Sequence, residues 1–233
     1  MNPDRELETL VQLIGELRGA PYAPAVFATS FSAEDMVLTD LIAKHAPWIG
    51  VFTIDTGRLP EETYRLMQET RERYPIPIRT FLPGTRQLES FVQRFGPNGF
   101  YASPALRATC CEVRKIEPLR RALAGQGSWI TGLRREQSPT RRDLPVREWD
   151  NRHGLHKMNP LAGWSQEQVW DYIHRFRVPY NALHDQGYPS IGCAPCTRAV
   201  QPGEDMRKGR WWWEPEEVAK ECGLHRGPGQ DSH

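Results

Sequence analysis

The chain has 233 residues, 39% of them hydrophobic and 25% charged, with 30 Lys and Arg against 29 Asp and Glu and a formal charge of +1. That composition supports a buried core and excludes intrinsic disorder, and the near-neutral balance excludes global polybasic attraction to nucleic acid or to a membrane. No apolar run reaches the ~18 to 20 residues of a membrane span, the start MNPDRELETL lacks the blocks of a signal peptide, and five cysteines are too few for a disulfide scaffold, so a cytoplasmic protein with reduced thiols is expected.

Leu7, Leu10, Val11, Ile14 and Leu17 follow helical spacing and stop before Gly19 and Pro21. A strand over Ala25 to Thr29 comes next, then a helix through Met36, Val37, Leu41 and Ile42, and a second strand over Ile49 to Ile54. Pro60 suits a first helical turn, Tyr64 and Met67 share a helix face, Ile78 to Phe81 reads as strand and Leu88 to Phe95 as helix. Beyond a Gly- and Pro-rich break, Thr109 to Ala124 is a helix with Pro118 as a blemish, and Ser128 to Leu133 is an apolar strand. Ser165 with Gln168 forms a capping-box pattern that opens a helix ending near Phe176. The alternation predicts an α/β fold, a mostly parallel sheet with helices on both faces. Residues 1–200 form the expected main domain. Residues 201–233 form a loop-rich C-terminal tail.

In such sheets ligands bind beyond the carboxyl ends of the strands, so the residues that follow each predicted strand are informative together. They are Ser30-Phe31-Ser32-Ala33-Glu34-Asp35, then Asp55-Thr56-Gly57-Arg58, then Gly132-Leu133-Arg134-Arg135 with Ser138, Arg141 and Arg142 behind. Each alone is ordinary turn and cap chemistry. Hydroxyls and arginines converging on one sheet edge instead suit an anion. Arg107 to Arg147 holds ten Lys and Arg against Glu112, Glu117, Glu136 and Asp143, a local cationic stretch on a neutral protein.

The cysteines divide into Cys110-Cys111, Cys193-Ala194-Pro195-Cys196 and Cys222. Cys-x-x-Cys alone would suit a thioredoxin-like dithiol, but here it sits in a Gly- and Pro-rich loop rather than at a strand-to-helix turn. Four thiols together suit a metal centre. Zinc is one reading, although adjacent cysteines chelate one small ion awkwardly, and an iron-sulfur cluster, with ligands on separate irons, is favoured. Cys222, in Glu221-Cys222-Gly223-Leu224-His225, is either a buried free cysteine or an exposed reactive thiol, and its charged, Gly-flanked surroundings with Arg207, Lys208 and Arg210 upstream favour the second.

SFSAEDMVL (30–38), TIDTGRLPEETY (53–64), TCCEVRKIEPL (109–119), TGLRREQSPTRR (131–142), GCAPCTR (192–198), GRWWWE and ECGLH (209–225) together resemble assimilatory adenylyl-sulfate reductases of the bacterial iron-sulfur type, within the phosphoadenylyl-sulfate reductase family. The combination of the two cysteine pairs with ECGLH is the specific part. The resemblance implies an adenine-nucleotide α-hydrolase-like fold and a 4Fe-4S cluster on Cys110, Cys111, Cys193 and Cys196. It also implies Cys222 as the nucleophile that leaves an enzyme S-sulfocysteine and AMP, with thioredoxin, a separate protein, then releasing sulfite for cysteine biosynthesis. Lys115, Arg142, Arg207 and Arg210 would neutralise the anionic oxygens, and His225 would donate a hydrogen bond. Lys115, four residues past Cys111, would sit between cluster and substrate. Ser30, Ser32, Asp55, Thr56 and Gly132 are the motif-matched nucleotide contacts.

The resemblance favours adenylyl sulfate over its 3′-phosphorylated form, because members specialised for the latter generally lack both cysteine pairs. The arginines of 134–142 argue weakly the other way. Two rivals remain: an ATP-pyrophosphatase-type tRNA-modifying enzyme, whose loop is typically Ser-Gly-Gly-x-Asp rather than Ser-Phe-Ser-Ala-Glu, and a zinc-stabilised nucleic-acid binder. Oligomeric state, a homo-oligomer included, stays open.

Overall fold

The computed structural model describes residues 3–201 and 203–215. Six strands form one sheet: β1 (Ala25–Ala28), β2 (Gly50–Ile54), β3 (Ile78–Phe81), β4 (Ser128–Ile130), β5 (Arg147–Asp150) and β6 (Leu155–Met158). Their order is β3-β2-β1-β4-β6-β5, with every pairing parallel except β5 against β6. The helices are α1 (Pro3–Gly15), α2 (Ala33–His45), α3 (Glu61–Arg73), α4 (Thr85–Phe95), α5 (Pro104–Cys111), α6 (Glu117–Leu123) and α7 (Gln166–Phe176). The chain winds outward from β1 in both directions, so a crevice opens between the carboxyl ends of β1 and β4.

Strand alternation places successive residues on opposite faces, and both faces are covered. Phe27, Val51, Ile130 and Met158 join Ile14 of α1, Met36 and Leu41 of α2, Leu66 of α3 and Ile173 of α7 in the larger core. Their neighbours Val26, Phe52 and Trp129 turn the other way, onto Leu119, Ala122 and Leu123 of α6. A third cluster, Phe91, Phe100 and Cys110, joins α4 to α5. Each fully buried side chain of this size contributes about 1.5–3 kcal/mol.

The predicted strands and helices of the first hundred residues are all present. Pro60 proves to be the N-cap of α3, not part of its first turn, and Ser165 caps α7 in the expected box with Gln168. Three differences carry information. The helix expected over Thr109 to Ala124 is present but widened in its middle: α5 runs to Cys111, Glu112–Ile116 forms a π turn, and α6 continues to Leu123. Pro118 has no N–H for the carbonyl of Arg114 and its ring would clash there, so the backbone widens by one residue and Glu117 N bonds Glu112 O instead. The strand expected to reach Leu133 ends at Ile130, and the β5–β6 hairpin was not anticipated. Residues 203–215 lie over the main body, tied by a bridge between Thr197 and Arg210.

Candidate active site

A cleft of about 230 Å³ opens at the crevice between β1 and β4. Its floor is the loop after β1. Ser32 caps α2 by accepting from Asp35 N, and Ser30 donates from both its backbone N and its Oγ to Asp35 Oδ2 at 2.6 Å. Between them, buried Phe31 takes a φ of 60°, a left-handed conformation that costs a non-glycine residue about 1–2 kcal/mol. Asp35 is thus the strut that holds a strained loop against the cleft. Burial pushes its pKa up to about 6, against the lowering effect of the Ser30 bonds. Gly132 packs directly on Asp35, where a Cβ would collide with the carboxylate and with Glu34.

Of the residues expected to bind substrate or neutralise charge, Ser30, Ser32, Thr56, Gly132, Lys115, Arg207 and Arg210 all line this cleft. Asp55 does not. Its Oδ1 accepts from Gly57 N at 2.7 Å and from Tyr64 Oη at 2.8 Å, so it shapes the turn after β2. Arg142 is exposed and off the cleft, whereas its neighbour Arg141 lines it and bonds Gln137 Oε1 at 2.5 Å. Arg134 is buried on Glu34 at 2.9 Å and on the Trp164 carbonyl at 3.1 Å. Asp35 and Arg141, which the sequence placed in the polar segments at this edge without a role of their own, line the cleft, and sequence reasoning missed Gln137, His184 and Ser190. For Asp35 a signal existed, an acid three residues after a serine cap. Cys222 and His225 lie outside the described residues.

Beside the cleft, Cys110, Cys111, Cys193 and Cys196 line one small cavity of about 20 Å³ together with Arg58, Arg107, Arg114 and Lys115. The first pair comes from the end of α5 and the second from a loop fastened to the β2 turn, where Ala194 N donates to Arg58 O at 2.8 Å. Lys115 lines both cavities. Thr56, in the cleft, lies 3.2 Å from Cys193 Sγ by its hydroxyl. Arg210 is buried among cleft residues, packs on Gly192 so closely that a Cβ there would strike its guanidinium, and stacks 4.9 Å from the Trp211 ring.

No disulfide joins the four thiols to one another. Burial raises the pKa of Cys110 and pushes that of Cys196 up to about 12, with the Cys193 charge adding to the latter and Lys115 and Arg210 opposing it. A metal's positive charge would remove the proton from thiols buried in this way, because metal ligation needs the thiolate. Arg114 Nε is buried at the same cavity with no hydrogen-bond partner among the described residues, while its Nη1 donates to the Thr56 carbonyl at 2.6 Å. Among the described residues no group of three or more His, Cys, Asp or Glu is arranged to hold a metal ion. Four thiols around one cavity with Arg58, Arg107, Arg114 and Lys115 at its wall fit an anionic metal-thiolate group.

Fold and site define a doubly wound nucleotide-binding domain fitted with a cage of four cysteines. Residues 24–199 match the phosphoadenosine phosphosulfate reductase domain, and the chain belongs to that family. It is 55% identical over 227 residues to the adenosine 5′-phosphosulfate reductase of Allochromatium vinosum, covering 96% of this chain and 86% of that one. The enzyme of the same name from Burkholderia cepacia is 49% identical over 220 residues, covering 94% and 87%. Among solved structures, the phosphoadenylyl-sulfate reductase of Candida auris in its phosphate complex superposes with a TM-score of 0.69 at 29% identity, covering 85% of this chain and 96% of that chain. The FMN adenylyltransferase of Candida glabrata shares the fold alone, with a TM-score of 0.55 at 15% identity over 91% of this chain and 72% of that one.

Proposed function

We propose that this protein is a thioredoxin-dependent adenylyl-sulfate reductase of sulfate assimilation, converting adenylyl sulfate to AMP and sulfite in a reducing cytoplasm. The observation that carries the reading is the shared wall between cleft and cysteine cage, with Lys115 facing both and Thr56 linking them. The naming of relatives at 49% and 55% identity supports the same substrate.

In the proposed reaction the Cys222 thiolate attacks the sulfate sulfur, the Sγ–S bond forms, and the bond to the phosphate oxygen breaks with its electron pair leaving on AMP. Lys115, Arg207 and Arg210, with Arg141 in the place expected of Arg142, hold the oxygens that gain charge. The Ser32 hydroxyl orients the nucleotide's anionic portion, in a turn kept in place by the Ser30 bonds to Asp35. His225 donates a hydrogen bond at the thiol. A thioredoxin thiolate then attacks Cys222 Sγ and sulfite leaves with the S–S bonding pair. The second thioredoxin thiol closes that protein's disulfide and returns Cys222 reduced, so one dithiol is oxidised per sulfite formed. Cys110, Cys111, Cys193 and Cys196 would hold a 4Fe-4S cluster, which when bound supplies a fixed charge beside Lys115.

The test is sulfite release from adenylyl sulfate with thioredoxin, paired with intact mass after mixing enzyme and substrate without thioredoxin. An adduct of about 80 Da on Cys222 is expected, as for a covalent nucleophile. Cys222→Ser should bind AMP but not turn over. Sulfite released in a single turnover with Cys222 unmodified would defeat the mechanism.

A further inference from the structure

The cleft floor and the loop beyond β4 are joined by one side chain. Buried Arg134 is fixed on Glu34 of α2 at 2.9 Å and on the Trp164 carbonyl at 3.1 Å, so the backbone after it departs from a rigid point. Two short 3-10 turns follow, Arg135–Gln137 and Pro139–Arg141, in which Arg135, Glu136, Pro139 and Thr140 are exposed. Gln137 is half-buried and lines the cleft, as does Arg141. Its Oε1 accepts from Arg134 N at 3.1 Å and from Arg141 Nη1 at 2.5 Å, while its Nε2 donates to Gly132 O at 3.5 Å. A single amide thus closes the first turn, reaches the cleft floor and grips a guanidinium four residues further on.

Glutamine suits this place for a chemical reason. An arginine on an exposed turn has many rotamers, and a ligand that must select one of them loses affinity by the entropy of doing so. A carboxylate would fix the guanidinium but cancel its charge. A neutral amide oxygen fixes it without cancelling that charge. We propose that Gln137 is a positioning residue for substrate binding, holding the Arg141 guanidinium in the cleft so that it meets the nucleotide's phosphate already oriented. This rests on the reading of Arg141 as a partner of the substrate's anionic oxygens. The benefit falls only to ligands that carry the phosphate, and adenosine gains nothing from it.

The experiment measures AMP affinity by calorimetry and adenosine affinity by competition against AMP, on full-length protein purified anaerobically. The ratio of the two is the readout, because a general distortion of the cleft weakens both ligands alike. Gln137→Met should bind AMP about 3- to 10-fold more weakly, as expected when one long side chain is immobilised at binding instead of beforehand, with adenosine within about twofold of wild type. Gln137→Ala repeats the measurement if the methionine variant does not fold. Arg141→Ala should lose AMP affinity at least as far, again sparing adenosine. Adding Gln137→Met to Arg141→Ala should cost less than about twofold more, since two residues that act through one contact are not additive. An unchanged ratio in the Gln137 variants, AMP and adenosine weakening in step, or additive losses in the double variant would overturn the proposal. An unchanged ratio in Arg141→Ala itself would instead sink the underlying reading of Arg141, and the proposal with it.

Discussion

The Asp35 carboxylate accepts two bonds from Ser30, yet burial outweighs them and lifts its pKa from 3.8 to about 6. A group whose folded pKa is raised binds its proton more tightly when folded. Its stabilising contribution is therefore complete below about pH 4 and is lost as pH rises through about 6. Asp35→Asn keeps an acceptor for Ser30 and removes the titration. Urea denaturation should show wild type losing stability relative to this variant between about pH 4 and 6, by on the order of 3 kcal/mol at ~1.36 per unit. A flat difference across that range would mean that Asp35 titrates as an ordinary surface acid. Motif and cap position made Ser30 and Ser32 legible as loop residues. That Asp35 is their strut depends on a bond that forms only when β1 and α2 fold back on each other.

Where helices meet, Asp40 of α2 is the buried joint. It accepts from Tyr172 Oη of α7 at 2.7 Å, from Tyr74 Oη at the end of α3 at 2.9 Å, and from Lys44 Nζ at 2.7 Å. Burial, followed by the Asp40 bond and charge, raises the pKa of Tyr172, so this hydroxyl stays a donor throughout the accessible pH range. Tyr172→Phe should cost about 1–3 kcal/mol in a urea melt, the penalty for withdrawing one donor from a buried charge. Adding Tyr74→Phe should cost more than the sum of the singles, because Lys44 alone would remain. Additive or negligible losses would show that the joint is not cooperative. Pro118 acts between elements in another way. It was visible as a blemish in a helical stretch, but a proline can kink, break or widen a helix, and the packing of Leu119, Ala122 and Leu123 under the sheet selected the π turn. The β5–β6 hairpin escaped because Arg147–Asp150 and Leu155–Met158 mix charge with apolar residues, β5 forming the partly exposed sheet edge and β6 the largely buried strand beside it.

Across the molecule, the basic stretch is mostly spent on internal partners. Arg107 pairs with Glu214, Arg120 with Glu112, Arg121 with Glu117, Arg134 with Glu34 and Arg147 with Glu16, and Arg114 is bonded to the Thr56 carbonyl. Few of these cations are left to meet an additional phosphate, and desolvating one unpaired costs several kcal/mol. The value of kcat/KM for adenylyl sulfate should therefore exceed that for the 3′-phosphorylated compound at least ~10-fold, about 1.4 kcal/mol of discrimination. Equal or reversed constants would move the assignment to a dual-specificity or phosphoadenylyl-sulfate reductase. Anaerobically purified protein should also carry about four iron and four sulfide per chain and absorb in the visible. Stoichiometric zinc without iron would reject the cluster.

Local pattern carried the strand and helix alternation, the sheet's layered class, the cap at Ser165, and the grouping of thiols into pairs, because these depend on residues two to four positions apart. It could not say that Arg141 rather than Arg142 enters the cleft, that Asp55 shapes a turn, or that Arg134 is consumed by Glu34 a hundred positions away. Nor could spacing bring the end of α5 against the 193–196 loop, where Lys115 faces cleft and thiols together. Those outcomes follow from which buried charges find partners once the sheet is closed on both faces, a competition among distant groups to avoid unpaired burial that no local periodicity encodes.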